Sequence, residues 1–434
     1  MVEYRKLSRR KLLGTAAIAA TAAAAGPLGA VTSLFAQQSQ VPRDEKSLPT
    51  FTGPAQNPYW NSVGPVVQYP QKFPLVLLTD RPVQLETPRH YFQTAFTPNG
   101  AFYVRWHLDE IPNSVDLASW RLNLEGSVER PLKLSMGDLT SKFKPVTVAA
   151  VNQCSGNSRS KFQPRVPGGQ WGHGAMGNAK WTGVPLRELL DASKLKQDAL
   201  FVQFQGLDKG KGPEGHGSHE FLKSLDLKNP VLDDCIVAYA MNDEPLPMLN
   251  GFPVRLVVPG YFATYWMKGL SWIRVLDKPD ENFWMKTGYR VPDTPRGNTT
   301  PEDVKAGSVK TVPISRMPVR SFIVTPDNET KLVSRLPITI RGIAFSGYGP
   351  INKLEVSLDD GKSFTTADLG EDHGPYSFRT WSYKWTPPKP GHYVLAARAT
   401  DGKGNIQPDE GVWNPGGYLW NRIERQEVVV GRNS

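Results

Sequence analysis

Cys154 lies in Val151-Asn152-Gln153-Cys154-Ser155-Gly156-Asn157-Ser158-Arg159, where a strongly β-forming run gives way to a loop of Gly, Ser and Asn. A side chain at a strand end is presented to whatever cleft the sheet borders. Such a cysteine can be a small buried hydrophobe or, as thiolate, a ligand for a soft metal. Arg159, five residues on, favours the second reading, because a guanidinium lowers a thiol pKa and can hold an anion. The other residues that can do chemistry are ambiguous when taken singly. Arg105 and Arg255 stand in strand-like runs, where an isolated arginine is usually a surface or paired residue. Trp171, Trp181 and Tyr289 read equally well as packing aromatics, and Cys235, in Cys-Ile-Val-Ala-Tyr, reads as a buried strand thiol. His216 and His219 are three apart with no third ligand nearby, which fits a solvent-facing loop better than a metal clip. His90, His373 and His392 offer single positions only.

The elements around these residues are short. Runs rich in β-formers at Val146 to Val151, Leu200 to Phe204, Cys235 to Tyr239 and Pro253 to Val258 alternate with helix-like pieces such as Val184 to Leu190. That texture predicts an α+β domain over 76–300. Residues 37–75 are rich in Gln, Pro and Asn and predict an extended surface arm. The Pro-rich stretch Tyr289 to Pro313 reads as loop and marks a boundary. Beyond it, over 310–434, alternating runs at Leu336 to Phe345, Leu354 to Leu358, Trp381 to Trp385 and His392 to Ala399 are separated by Gly and Pro turns. They predict an antiparallel, immunoglobulin-like β-sandwich with no cysteine to form a pin disulfide.

Taken together, the blocks resemble the sulfite oxidase family of molybdopterin enzymes. Cys154-Ser-Gly-Asn-Ser-Arg159 is similar to the loop whose cysteine ligates molybdenum. Gly169-Gln-Trp171-Gly-His-Gly through Trp181-Thr-Gly-Val-Pro-Leu186, Met241-Asn-Asp-Glu-Pro-Leu-Pro247 and Gly251-Phe-Pro-Val-Arg255-Leu-Val-Val-Pro-Gly260 follow the family's blocks in order and spacing. The likeness covers roughly residues 95 to 430, and several long blocks in order are far more specific than one short pattern. Within the family it resembles the catalytic subunit of bacterial sulfite:cytochrome c oxidoreductases.

The resemblance implies a cofactor of molybdenum with molybdopterin, with Cys154 as the metal's protein ligand. Tyr103-Val104-Arg105-Trp106-His107 matches a segment that contributes a substrate-pocket arginine and a cofactor-contacting histidine. Arg159 matches a second pocket arginine, Trp171 a pocket tryptophan, and Tyr289 the tyrosine beside the reactive oxygen. Asp208, Asn250, Arg255 and Lys268 stand at positions that hold the pterin and its phosphate. Two departures stand out. Asn250 replaces a histidine common in relatives, and Trp413-Asn-Pro-Gly-Gly417 lacks the further pocket arginine of animal members. The expected activity is oxidation of sulfite or a related small sulfur oxyanion, with electrons passed to a c-type cytochrome. A sulfane-sulfur or sulfoxide substrate on the same cofactor, or an exported binding protein without redox chemistry, are the alternatives. The sandwich in this family commonly mediates dimers.

Composition narrows the field. The 434 residues are enough for two or three domains, and 39 Gly with 38 Pro argue against helical bundles. Two cysteines 81 positions apart, with no CxxC or CxxCH, exclude covalently attached c-type haem and four-cysteine metal sites, and no haem is expected in this chain. Of the formal +10, a surplus of +4 lies in residues 1 to 36, where Arg5, Lys6, Arg9, Arg10 and Lys11 face Glu3. No run of five or more basic residues occurs, so nucleic acid is not an expected partner. Ser8-Arg9-Arg10-Lys11-Leu12-Leu13-Gly14, an Ala-rich stretch and Leu34-Phe35-Ala36 have the parts of a twin-arginine export signal. The apolar run is too short to anchor the mature chain in a membrane. The periplasm is therefore the expected location, and folded export suits a protein that receives its cofactor in the cytoplasm.

Overall fold

Short β runs punctuated by Gly and Pro must pair to satisfy their backbone groups. The computed structural model, which describes residues 66–210, 220–327 and 330–432, accordingly contains six sheets among those residues. The export signal at 1–36, the arm up to residue 65 and the His216/His219 pair lie outside the described residues.

The sheet that matters most runs in the order Glu244–Pro245, Ile236–Met241, Met176–Pro185, Val146–Gln153, with Arg255–Val257 also paired to Ile236–Met241. Val146–Gln153 pairs antiparallel with Met176–Pro185 along its whole length, so the residue after Gln153 emerges at the sheet's end. That residue is Cys154. Gly183 is needed inside this sheet, because a Cβ there would sit 2.1 Å from the Val237 carbonyl oxygen. A second sheet, ordered Glu220–Asp226, Phe201–Lys209, Trp272–Leu276, Leu122–Gly126, Leu132–Leu134, carries Asp208 and Lys223. A third, Val66–Val67, Leu75–Asp80, Val83–Glu86, Val104–Arg105, carries Arg105.

Three expectations about elements need correcting. The end of the arm is not extended surface chain: Val66–Val67 pairs with Leu75–Asp80 and Lys72 is buried. The helix expected from Val184 starts at Leu186 and runs to Ser193, because Val184 and Pro185 are held in the ladder opposite Val237 and Ile236. Tyr289 to Pro313 is not all loop. Arg290–Pro292 pairs with Thr311–Pro313, and Pro301–Ala306 is a helix with Thr300 and Asp303 in a capping box.

Two facing sheets form the carboxy-terminal sandwich. One is Arg320–Thr325, Ile338–Phe345, Arg379–Trp385, Asp368–Leu369, and the other Leu332–Val333, Arg425–Gly431, Gly391–Asp401, Ile351–Ser357, Thr365–Thr366. Alternation works as period two requires: Gln426, Val428 and Val430 point inward while Glu427, Val429 and Gly431 are exposed. Ile340, Leu354, Leu395 and Ala399 are sealed between the sheets, and burial of each large apolar side chain contributes about 1.5–3 kcal/mol. The sandwich does not stand apart from the rest of the molecule. Phe322 and Phe378 meet Phe92 edge-on with centroids 5.9 Å apart, joining the main core of the first domain.

Candidate active site

Five chain segments converge on one cavity: Tyr103 to His107, Asn152 to Ser155, Leu249 to Arg255, Ala263 to Lys268, and Tyr289. Each arrives for a local reason. Cys154 is delivered by the strand Val146–Gln153, and its N–H is fixed to the Ala175 carbonyl at 2.9 Å. Arg105 leaves the edge of the amino-terminal sheet opposite Gln84. Gly251, at φ +109°, turns the chain so that Asn250 and Arg255 face the same space, and a Cβ there would crowd Lys268 and Arg255 at 3.1 and 3.2 Å.

The wall is cationic. Arg255 lies between Trp181 and Trp266, at 5.0 and 5.7 Å from their ring centres, and donates to the Asn250 and Trp266 carbonyls. Burial lowers its pKa to about 10, still charged at neutral pH. Lys268 sits 4.6 Å over the Trp106 ring. Burial lowers the Lys268 pKa and raises that of Asp208, while each group's charge pulls the other back toward its ionised form. His107 stacks face to face on Phe221 at 3.4 Å, and burial, reinforced by Arg105, Lys268 and Lys223, keeps its ring neutral. Burial also raises the Tyr289 phenol pKa, so its proton stays on.

The cavity's polar atoms are left without partners. Arg105 Nη1, both ring nitrogens of His107, Asn152 Nδ2, Ser155 Oγ, Arg255 Nε and Thr264 Oγ1 are shielded from solvent and make no hydrogen bond within the protein. Buried polar groups are normally satisfied, and an unmet one costs about 1–3 kcal/mol. Seven on the residues of one cavity, mostly donors, mark a place built around an anionic, hydrogen-bond-accepting group. Only one thiol faces it, and among the described residues no cluster of three or more His, Cys, Asp or Glu could hold a metal. A metal here must therefore bring most of its ligands with it, as a dithiolene cofactor does. The donor set fits molybdopterin in both respects.

Some residues expected at the site flank it instead. Arg159 is caged by Gly156, Gly168 and Gly417, where an added Cβ would lie 2.5 to 2.9 Å from its side chain. Its Nε and Nη2 donate to the Gly416 carbonyl and its Nη1 to the Gly169 carbonyl. Its guanidinium stands 5.3 Å over Tyr418, which stacks on Tyr289 at 5.8 Å. Trp171 meets Tyr103 edge-on at 6.4 Å and supports the wall from behind. Val104 and Trp106 are buried in the amino-terminal core, with Trp106 Nε1 bonded to the Leu249 carbonyl. Tyr418, Asn152, Ser155 and Thr264 were not singled out from the sequence. Tyr418 directly follows the Trp413 to Gly417 block, and that adjacency was the available signal.

Residues 107–284 match the oxidoreductase molybdopterin binding domain and residues 311–430 the Mo-co oxidoreductase dimerisation domain, so fold and cavity together define a molybdopterin oxidoreductase. Among curated proteins the chain is 30% identical to the mitochondrial sulfite oxidase of Rattus norvegicus, over 94% of this chain and 76% of that one. It is also 30% identical to the sulfite oxidase of Arabidopsis thaliana, over 82% of this chain and 95% of that one. The chain belongs to the sulfite oxidase family. Among solved structures it is similar to the sulfane dehydrogenase SoxCD of Paracoccus pantotrophus, with a TM-score of 0.69 and 26% identity over 80% of this chain and 85% of that one.

Proposed function

We propose that the chain oxidises sulfite to sulfate, taking one oxygen from water and releasing two protons and two electrons, the electrons leaving singly to a c-type cytochrome. The observation that carries this reading is the set of unmet donors around Cys154, above all Arg105 Nη1 and the His107 nitrogens. Molybdopterin with molybdenum, when bound, supplies the oxygen transfer and the two-electron change. The chain's own residues bind and orient. Cys154 would hold the metal, and Arg255, Lys268 and Asn250 would hold the pterin and its phosphate, with Asp208 setting the charge of Lys268. The backbone of Tyr103 to His107 would line the cofactor, with His107 as a neutral support rather than a base.

Arg105 would meet the sulfur oxyanion directly, since a planar guanidinium suits a tetrahedral dianion. Arg159 would add charge from behind Tyr418. Tyr289 keeps its phenol proton and can donate it as a hydrogen bond to the reacting oxygen, while Trp171 fixes Tyr103. Export by the twin-arginine route and a homodimer through the carboxy-terminal sandwich complete the proposal. The dimerisation-domain match supports the latter. The test is metal analysis of chain purified from a cofactor-competent host, paired with sulfite-dependent reduction of cytochrome c. About one molybdenum per chain and a sulfite-dependent trace are expected; metal-free chain without the trace would sink the reading.

A second substrate, a sulfane-sulfur intermediate, is favoured by one feature. Three of the five Arg159 N–H groups are taken up by the Gly416 and Gly169 carbonyls, in the region where animal members have another arginine. The anion pocket therefore has less free guanidinium than two or three unencumbered arginines would give. The likeness to SoxCD points the same way. Oxidation rates on sulfite and on a sulfane-sulfur donor, measured on the same preparation, decide between the two.

A further inference from the structure

Lys72 lies ahead of the matched catalytic domain, in the segment whose composition reads as a surface arm, yet it is only 3% exposed. Its Nζ donates to the Asn99 carbonyl and the Phe102 carbonyl, each at 2.9 Å, and to Asn250 Oδ1. Those three acceptors use all three ammonium hydrogens. Among the described residues, no carboxylate comes within ion-pair distance of it. A buried cation without a counter-ion is costly, and burial together with the nearby Arg255 charge lowers the Lys72 pKa to about 7. Simple packing would be served better by an apolar residue of the same length.

What Lys72 touches gives the reason. The Tyr103 carbonyl can only accept, so Asn250 Nδ2 faces it and donates at 3.0 Å, which leaves Asn250 Oδ1 turned toward Lys72 as the acceptor of its N–H. The peptide oxygen of Asn250 in turn accepts from Arg255 Nη1 at 3.0 Å. Lys72 thus holds the oxygen end of a cavity residue that braces both Tyr103 and Arg255.

We propose that Lys72 is a positioning residue of the cofactor site, locking Asn250 and adding positive charge behind Arg255 that becomes compensated when an anionic cofactor binds. The proposal rests on the cofactor reading above and deepens it. It also explains the asparagine at 250: a lysine needs an acceptor opposite it, and an amide oxygen is always one, whereas the imidazole nitrogen that faced the lysine would accept in one tautomer and not in the other.

The test uses the full chain made in a host that synthesises molybdopterin, and in a second host that does not. Pterin per chain is read by fluorescence after denaturation, before and after a fixed period of dialysis. Lys72→Met and Lys72→Gln are expected to retain roughly one fifth or less of the wild-type pterin, while their cofactor-free forms melt within about 4 °C of cofactor-free wild type. Combining Lys72→Met with Asn250→Ala should cost less than the product of the two single losses, since the residues share one contact, and the part that remains beyond Asn250→Ala is the contribution of the Lys72 charge. Pterin retention equal to wild type overturns the assignment. So does a loss matched by a collapse of the cofactor-free melting temperature, which would make Lys72 a structural pin. A wild-type chain that carries no pterin overturns the cofactor reading itself and this assignment with it, so the two failures are told apart by the wild-type lane.

Discussion

Two buried polar regions of this molecule use the same residue types and resolve them in opposite ways. At the contact between the first domain and the sandwich, Glu424 accepts from Arg89 at 2.7 and 3.0 Å and from His173 Nε2 at 2.9 Å. His173 Nδ1 meets Arg320 Nη2 at 2.8 Å and Ser158 Oγ at 2.7 Å. An arginine can only donate, so Nδ1 is the acceptor and the ring's proton is on Nε2, directed at Glu424. Burial alone would raise the Glu424 carboxyl pKa, yet the Arg89 charge and the His173 contact hold it well below the usual range. In the cavity that Cys154 lines, by contrast, Arg105, Arg255 and Lys268 gather with no carboxylate among the lining residues, and donors are left unmet. Satisfied polar clusters fasten parts together; unsatisfied ones await a ligand. Stability should therefore reside in the first region and activity in the second.

The sharpest way to break that contrast is to remove one charge from each. Glu424→Gln leaves Arg89 and Arg320 without their counter-ion, and breaking a buried pair in this manner costs about 3–5 kcal/mol. The urea midpoint of the cofactor-free chain should fall accordingly. Arg105→Gln should leave that midpoint unchanged or raise it, while lowering kcat/KM by on the order of 10²-fold, the usual effect of deleting a preorganised donor to a reacting anion. If Glu424→Gln proved neutral in stability, or Arg105→Gln cost stability rather than rate, the division of labour would be wrong.

How much of this was legible in the sequence follows from the range of the contacts. Cys154, Arg105, Arg255 and Lys268 lie in short blocks whose own order carries the signal, and all four line the cavity. The sandwich was legible because period two is a local pattern. Lys72 was not, since the acceptor that explains it is 178 residues away. The Glu424 cluster was invisible for the same reason: it joins positions 335 and 251 residues apart. Arg159 was recognised by its place in the Cys154 loop, but the carbonyls of Gly169 and Gly416 that occupy it depend on backbone geometry that side-chain identity does not encode. Tyr289 to Pro313 reads as loop because prolines dominate it, yet Pro292 and Pro313 sit at the ends of a two-stranded pair that tolerates them.

The satisfied region should also respond to acid, through a histidine that can be replaced without touching the cavity. Burial lowers the His173 pKa to about 4 from an unfolded value near 6.5. The folded chain keeps this ring neutral where the unfolded chain protonates it, so between those values the unfolded state binds more protons. The contribution is fully present above about pH 6.5 and is lost as pH falls toward 4, to a total of about 3 kcal/mol. Urea unfolding of the cofactor-free chain at pH 7 and at pH 4.5 measures it. His173→Gln should flatten this part of the pH dependence, and an equal slope in the variant would assign the acid sensitivity elsewhere.

The smallest expected effect tests where the cavity ends. Tyr289 lines it, and behind Tyr289 the stack continues through Tyr418 to Arg159, so the charge of Arg159 reaches the cavity only across two rings. Tyr289→Phe keeps the ring contacts, the stack on Tyr418 included, and removes one hydrogen-bond donor. About a tenfold fall in kcat is expected, roughly 1.4 kcal/mol, with little change in the stability of the cofactor-free chain. A donor used only as the reaction proceeds lowers kcat and kcat/KM together, whereas one that merely holds substrate raises KM and leaves kcat alone. The first pattern would place Tyr289 with Arg105 among the groups that act on the reacting anion. The second would move it to the side of Trp171, as part of the wall, and would leave Arg105 as the cavity's main contact with substrate.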